Sequence, residues 1–408
     1  MRRAYIPGFL LALLLLPTSV AIGYAVSANA PQNTSLLQSA QISYGGAVKI
    51  AGGFAMTGGG SALDRPAANG AMLALKEINA RGGVLGRPVE LVVRDSRYDM
   101  NLTAQIAQQF VEADKVVSCM GFSDTNSVMA AGPIFQKAGL PFITVGATSP
   151  KIPDQIGDMV YLACFGDNVQ AAAGAEYAAK HFGKRAYLLV DKSADYTVLL
   201  ASYFMSCFKD LGGDVVLIDS YTDNTTDVSK QIAKLKKRSK QPDFYYIAAM
   251  PYNADTVIEQ FRGAGLTGPI VGGDGYDTPE ILKLEGNASD NVFFSTHALM
   301  DTNSGDDGVK EFIIAYSKEY GHNPENAFAA LGYDTMRLMV DAIGRAGSTD
   351  TKAIQKAIQD TKDFRGVTGN ISYPNGSHVP QKGVTIVEVK GGRFTLGAEI
   401  VPEKVPAP

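Results

Sequence analysis

Tryptophan is absent from the 408 residues, and only three cysteines and four histidines occur. Three thiols cannot all pair, which excludes a disulfide-stapled scaffold. Cys119 and Cys164 fall in apolar strand-like runs and Cys207 on a helical one, so all three are expected as buried free thiols. None lies beside the expected signal cleavage point, which argues against a lipid-anchored form. The histidines, His181, His297, His322 and His378, are scattered. There is no H-E-x-x-H, C-x-x-C, G-x-S-x-G or Walker loop, so bond-making chemistry lacks its usual residues. Gly58-Gly59-Gly60 follows the first strand without the G-x-G-x-x-G spacing of a dinucleotide site. The stretch Asp301–Gly305 faintly resembles a calcium loop, but Gly305 and Phe312 occupy ligand positions. No metal, no cofactor and no enzymatic activity is expected. Positive charge is also sparse: 37 Lys and Arg stand against 41 Asp and Glu. The single dense basic run, Leu235–Lys240, follows Val228, Ile232 and Leu235 and reads as the wet end of a helix. A mildly acidic chain without a basic patch is a poor partner for nucleic acid.

What is present begins with Arg2 and Arg3 before the apolar stretch Phe9–Leu16, with Ala28-Asn29-Ala30 after it. This is the pattern of a secretory signal cut after Ala30. Pro17 and Gly23 interrupt the run that an uncleaved membrane anchor needs, and no later segment approaches membrane length. Cleavage removes two Arg and takes the net charge from −4 to −6. The expected location is periplasmic.

Beyond a polar spacer at 31–45, strands and helices alternate without interruption, which implies parallel sheets. VKIAGGF, VELVVRD, VVSCMGF and PFITVGAT are strand-like, with a helix expected from Pro66 to Ala80. The pattern then restarts at a helix over Gln170–Phe182, and the halves echo each other. ARGGVLGRPVELVV matches KDLGGDVVLI, and LPFITVGATSP matches GPIVGGDGYDTP. The fold expected is α/β: two doubly wound parallel-sheet lobes, with late elements that carry the chain across a hinge more than once. We expect 46–166 and 296–362 in the N-terminal lobe, and 167–295 and 363–400 in the C-terminal one. The strand Phe142–Val145 ends in Gly146-Ala147-Thr148-Ser149. In an open α/β sheet that end is where ligands sit, and small hydroxyls there suit a carboxylate.

The stretch from MTGGGSALDRPAANG to VVRDSRYD, followed in order by GFSDTNS, ITVGATSP, FGDNVQ, DKSADY, DFYYIAA and GGDGYDTP, resembles the type I solute-binding proteins. Specifically it is similar to the branched-chain amino acid receptors of ATP-binding-cassette uptake systems. The resemblance implies two lobes with three hinge crossings, closing on a small ligand. It further implies a ligand carboxylate held by Thr125, Ala147 and Thr148, and an ammonium held by Asp274. Asp167 matches an acid at the first crossing, and Tyr196 an aromatic that closes from the second lobe. Leu63 stands where the family has an aromatic, and Met250, Pro251 and Tyr252 fall at the second-lobe wall. The implied function is capture of an apolar amino acid for a membrane permease. An amine-free apolar or aromatic carboxylate, or a ligand sensor for a membrane receptor, is the alternative.

Overall fold

The computed structural model describes residues 46–222, 227–303 and 305–408; the expected signal at 1–30 lies outside them. The first lobe starts with β1 (Val48–Phe54), α1 (Ser61–Ala80), β2 (Val89–Asp95), α2 (Met100–Glu112) and β3 (Ser118–Gly121). It continues through α3 (Thr125–Ala138), β4 (Phe142–Thr144), α4 (Ile152–Ile156) and β5 (Val160–Leu162). The five strands form one parallel sheet in the order β2-β1-β3-β4-β5. Apolar runs covered on both faces suit a parallel sheet; Ile50, Phe54, Phe142 and Ile143 are fully buried. Asp99 and Asp124 cap α2 and α3 through side-chain bonds to Leu102 and Ser127 N–H groups.

The second lobe takes α5 (Asp167–His181), β6 (Arg185–Asp191), α6 (Asp195–Asp210), β7 (Asp214–Tyr221) and α7 (Ser229–Lys236). Then come β8 (Phe244–Ala248), α8 (Ala254–Gly263), β9 (Ile270–Gly272) and β10 (Val292–Thr296). Its strands run β7-β6-β8-β9-β10, the order of the first lobe repeated. The sequence echo is therefore topological: β2 answers β7, and β4 answers β9. This sheet is not wholly parallel, because a hairpin of β13 (Val384–Lys390) and β14 (Arg393–Ile400) adds antiparallel to β10. Gly391 and Gly392, at φ 57° and 70°, make the tight turn between them.

Between β10 and that hairpin the chain returns to the first lobe as α9 (Asp307–Tyr320), α10 (Ala327–Ala346), α11 (Thr351–Gln359), β11 (Phe364–Gly366) and β12 (Gly369–Ile371). The last change of lobe comes later than residue 363. Ile371 and Tyr373 sit in the first lobe's core, whereas Val384 packs with Phe165 and Phe293. The cause is Asp334 on α10, whose carboxyl accepts the N–H groups of Val367 and Thr368 and pins the β11–β12 hairpin to the first lobe.

Helices α1 and α10 lie almost in backbone contact. A Cβ on Gly70 would stand 1.8 Å from the Ala329 carbonyl oxygen, and one on Gly332 1.9 Å from that of Ala67. Helix α1 also starts at Ser61, five residues before the expected Pro66. A proline inside a helix leaves the carbonyl four residues back without its usual donor. Here that carbonyl belongs to Ala62, and it accepts from Asn326 Nδ2 at 2.9 Å. Asn326 also caps α10 by accepting from Phe328 N–H. The early start places Leu63 on a helix turn that faces the second lobe.

Candidate functional site: a closed cleft between the lobes

The C-terminal ends of both sheets face one another. Among the described residues the lobes touch where Asp277 Oδ2 accepts Ala327 N–H at 3.0 Å, Asn126 Oδ1 accepts Asp195 N–H at 3.3 Å, and the Tyr98 and Tyr252 rings meet edge to face at 6.0 Å. Between the lobes lies a tightly shut cavity of about 20 Å³, little more than room for one water in this closed state. Eight of its lining residues were expected from the resemblance: Leu63, Thr125, Ala147, Thr148, Tyr196, Met250, Pro251 and Asp274. The loops after β4 and β9, which answer each other in the two halves, both reach it.

The first-lobe end is rich in hydroxyls. Thr125 opens α3, 4 % exposed, and Ser123 precedes it at 6 %. The Oγ atoms of both are buried without a partner among the described residues. A buried hydroxyl left unbonded is costly, and unbonded donors at a helix N-terminus suit an anion. Asp124 between them spends its carboxylate on the α3 cap, and burial pushes its carboxyl up from its ordinary value. Thr148 and Ala147 complete this wall.

Asp274 supplies the opposite end. It follows Gly273, where a Cβ would stand 2.4 Å from the Tyr196 hydroxyl and 3.2 Å from Gln170 Oε1. The missing side chain lets both residues close on the turn. Tyr196 OH accepts Gly275 N–H at 3.2 Å, so the tyrosine sits under this turn with its ring on the cavity. Asp274 Oδ1 accepts from Gln170 Nε2 at 2.9 Å, and Oδ2 lies 3.1 Å from His297 Nε2. Burial pushes the His297 imidazole down, against the Asp274 carboxylate beside it. With Nδ1 unpartnered, the neutral ring is assigned the tautomer that donates from Nε2 to Asp274. Leu63, Met250, Pro251 and Phe328 supply the apolar walls.

Two of the expected residues do not line the cavity. Asp167 opens α5 behind Asp274, its N–H on Thr148 O at 2.6 Å and its Oδ1 accepting from Gln170 at 3.0 Å. Burial, then the Asp274 charge, push its carboxyl up to about 8. Tyr252 lies at the cleft mouth against Tyr98 and Gly59. Sequence reasoning missed Phe328, Gln170 and His297 as site residues. The asparagine cap before Phe328 was the available signal for the first and the FGDNVQ motif for the second; nothing local marks His297.

Two facing doubly wound lobes that close a small cavity with unlike ends define a cleft-type ligand-binding protein. A family model described as periplasmic binding protein matches residues 47–393, and the chain belongs to that family. It is 25 % identical over 338 residues to the Leu/Ile/Val-binding protein homolog 1 of Brucella abortus, covering 82 % of this chain and 89 % of that one. Among solved structures it is similar to a leucine-binding protein of Thermotoga maritima, at 33 % identity and TM-score 0.80, covering 87 % of this chain and 99 % of that one. A branched-chain amino acid transporter substrate-binding protein of Streptococcus pneumoniae, in complex with isoleucine, shares 28 % identity at TM-score 0.79, with coverage of 87 % and 99 %.

Proposed function

We propose that this protein captures an α-amino acid with an apolar side chain and delivers it to the membrane permease of an ATP-binding-cassette transporter, without altering it. The observation that carries the reading is the polarity of the cavity. Unbonded hydroxyls of Ser123 and Thr125 stand at one end, the Asp274 carboxyl at the other, and apolar side chains lie between. A zwitterion places its carboxylate on the first and its ammonium on the second. Because the two ends belong to different lobes, the ligand binds the closed state better than the open one, which is what drives closure. The apolar walls of Leu63, Met250, Pro251 and Phe328 offer no partner to a charged ligand side chain, whose burial would be costly. The names of the relatives, leucine-, isoleucine- and valine-binding proteins, agree with this chemistry. Export to the periplasm with removal of residues 1–30 completes the proposal, and the intact mass of the exported protein tests that step.

Calorimetry on protein stripped of ligand by unfolding and refolding tests the assignment. Leucine, isoleucine, valine and phenylalanine are expected to bind, lysine and glutamate to fail. 4-Methylpentanoate, which is leucine without its amine, should bind at least about 30-fold more weakly, the effect of leaving a buried charge unpaired at about 2 kcal/mol. Binding of amine-free acids alone would refute both the ammonium role of Asp274 and the ligand class.

A further inference from the structure

We propose that Gln170 is the positioning residue of the ammonium end, its carboxamide aiming the Asp274 carboxyl into the cleft. The proposal rests on the reading of Asp274 as the ammonium acceptor. Asp274 stands just past a three-residue strand, in a single 3-10 turn, with glycine on both sides. Only that one turn holds its backbone, and no neighbouring Cβ restricts it. Gln170 grips it twice: Nε2 donates to Asp274 Oδ1 at 2.9 Å, and Oε1 accepts Asp274 N–H at 3.1 Å.

Gln170 is itself held by β10 and by the first turn of its own helix. Oε1 also accepts from Ser295 Oγ at 2.7 Å, and Nε2 also donates to Asp167 Oδ1 at 3.0 Å. Gln170 lies on α5 just after the first crossing, and Ser295 on β10 just before the second. One carboxamide thus ties the ligand acid to both strands of chain that enter the hinge. Only an amide supplies the donors and the acceptor together. Gln170 is 1 % exposed and does not line the cavity, so it acts on ligand through Asp274. The charged and titratable groups around it are Asp167, Asp274, His297, Cys164, Tyr196 and Tyr246. With Asp167 pushed up to about 8, its carboxyl keeps its proton at neutral pH, and Gln170 faces one carboxylate rather than two.

The test uses Gln170→Met, which keeps the shape and removes the hydrogen bonds, and Gln170→Glu, which keeps the acceptor. Affinities for leucine and 4-methylpentanoate are measured by calorimetry from pH 5.5 to 8.5, with thermal unfolding to establish that each variant folds. Gln170→Met is expected to weaken leucine at least tenfold while changing 4-methylpentanoate less than threefold. Gln170→Glu should regain leucine affinity as pH falls. A protonated Glu again donates toward Asp274, whereas an ionised one sets another carboxylate against it. The isosteric Glu variant carries the test if the Met variant does not fold. Equal losses for both ligands, or a Gln170→Glu pH profile parallel to the wild type, would overturn the proposal and leave a structural role only. A wild type that does not prefer leucine overturns the Asp274 reading and the proposal with it.

Discussion

Thr125→Val isolates the carboxylate end of the cleft. The two side chains have the same shape, so the substitution replaces one hydroxyl by a methyl at the first residue of α3. In the closed cavity that hydroxyl has no partner among the described residues, and in an open cleft water would serve it. The unliganded protein should therefore unfold within about 1 kcal/mol of wild type, in the direction of greater stability if any, because an unbonded buried hydroxyl is removed. Binding should change far more. A hydrogen bond to a charged group contributes roughly 1.5–3 kcal/mol, so leucine affinity should fall about 10- to 150-fold. At a leucine concentration about 100 times the wild-type Kd, ligand adds roughly 2.7 kcal/mol to wild type. At that same concentration the variant should gain only about 0.3–1.4 kcal/mol. Thermal unfolding with and without leucine reads both quantities in one experiment. A variant whose leucine-induced stabilisation matches the wild type, or whose unliganded form loses several kcal/mol, would refute a ligand carboxylate at Thr125.

Gly332→Ala should destabilise the first lobe by about 1–3 kcal/mol or more, because the new Cβ meets the backbone oxygen of Ala67 rather than a movable side chain. An unchanged urea midpoint would contradict the close α1–α10 crossing. Stability should fall as pH rises from about 6.5 to 8. Burial pushes Asp64 and Asp277 up to about 7 and Asp167 to about 8, so the folded chain there holds protons that the unfolded chain has lost. His297, pushed down by burial, acts only below its ordinary value near 6.5, and Lys382, pushed down to about 8, acts only above that. Urea unfolding across this window checks the slope; Asp277→Asn should flatten it, and stability that rises with pH would count against the buried acids. Saturating leucine should lower the radius of gyration in small-angle scattering, since Asp277–Ala327 and Tyr98–Tyr252 join the lobes only when the cleft is shut. An unchanged radius with bound ligand would argue against hinge closure.

Local pattern was enough for much of this. Alternating strands and helices, and the echo between LPFITVGATSP and GPIVGGDGYDTP, follow from side-chain periodicity and turn chemistry, which act over a few residues. Strand ends in such sheets face ligand, so the loop Gly146–Ser149 was legible as a ligand end, whereas Thr125 and Asp274 entered only through the family resemblance. The tertiary structure decided the rest, because each remaining feature joins residues far apart in the chain. Pro66 sits inside α1 because Asn326, 264 positions beyond Ala62, takes the Ala62 carbonyl that the proline frees. The last change of lobe falls after Tyr373 because Asp334 holds the β11–β12 hairpin. Gln170 and Asp274 are 104 positions apart, and their bond exists only because α5 and β9 pack at one hinge. Asp167 carried a family-like motif, yet Gln170 holds it behind Asp274, and Tyr252, one step past the matching position, packs against Tyr98 at the mouth. Periodicity determines which way a side chain faces within its own element; which distant side chain it meets is set by how the lobes pack.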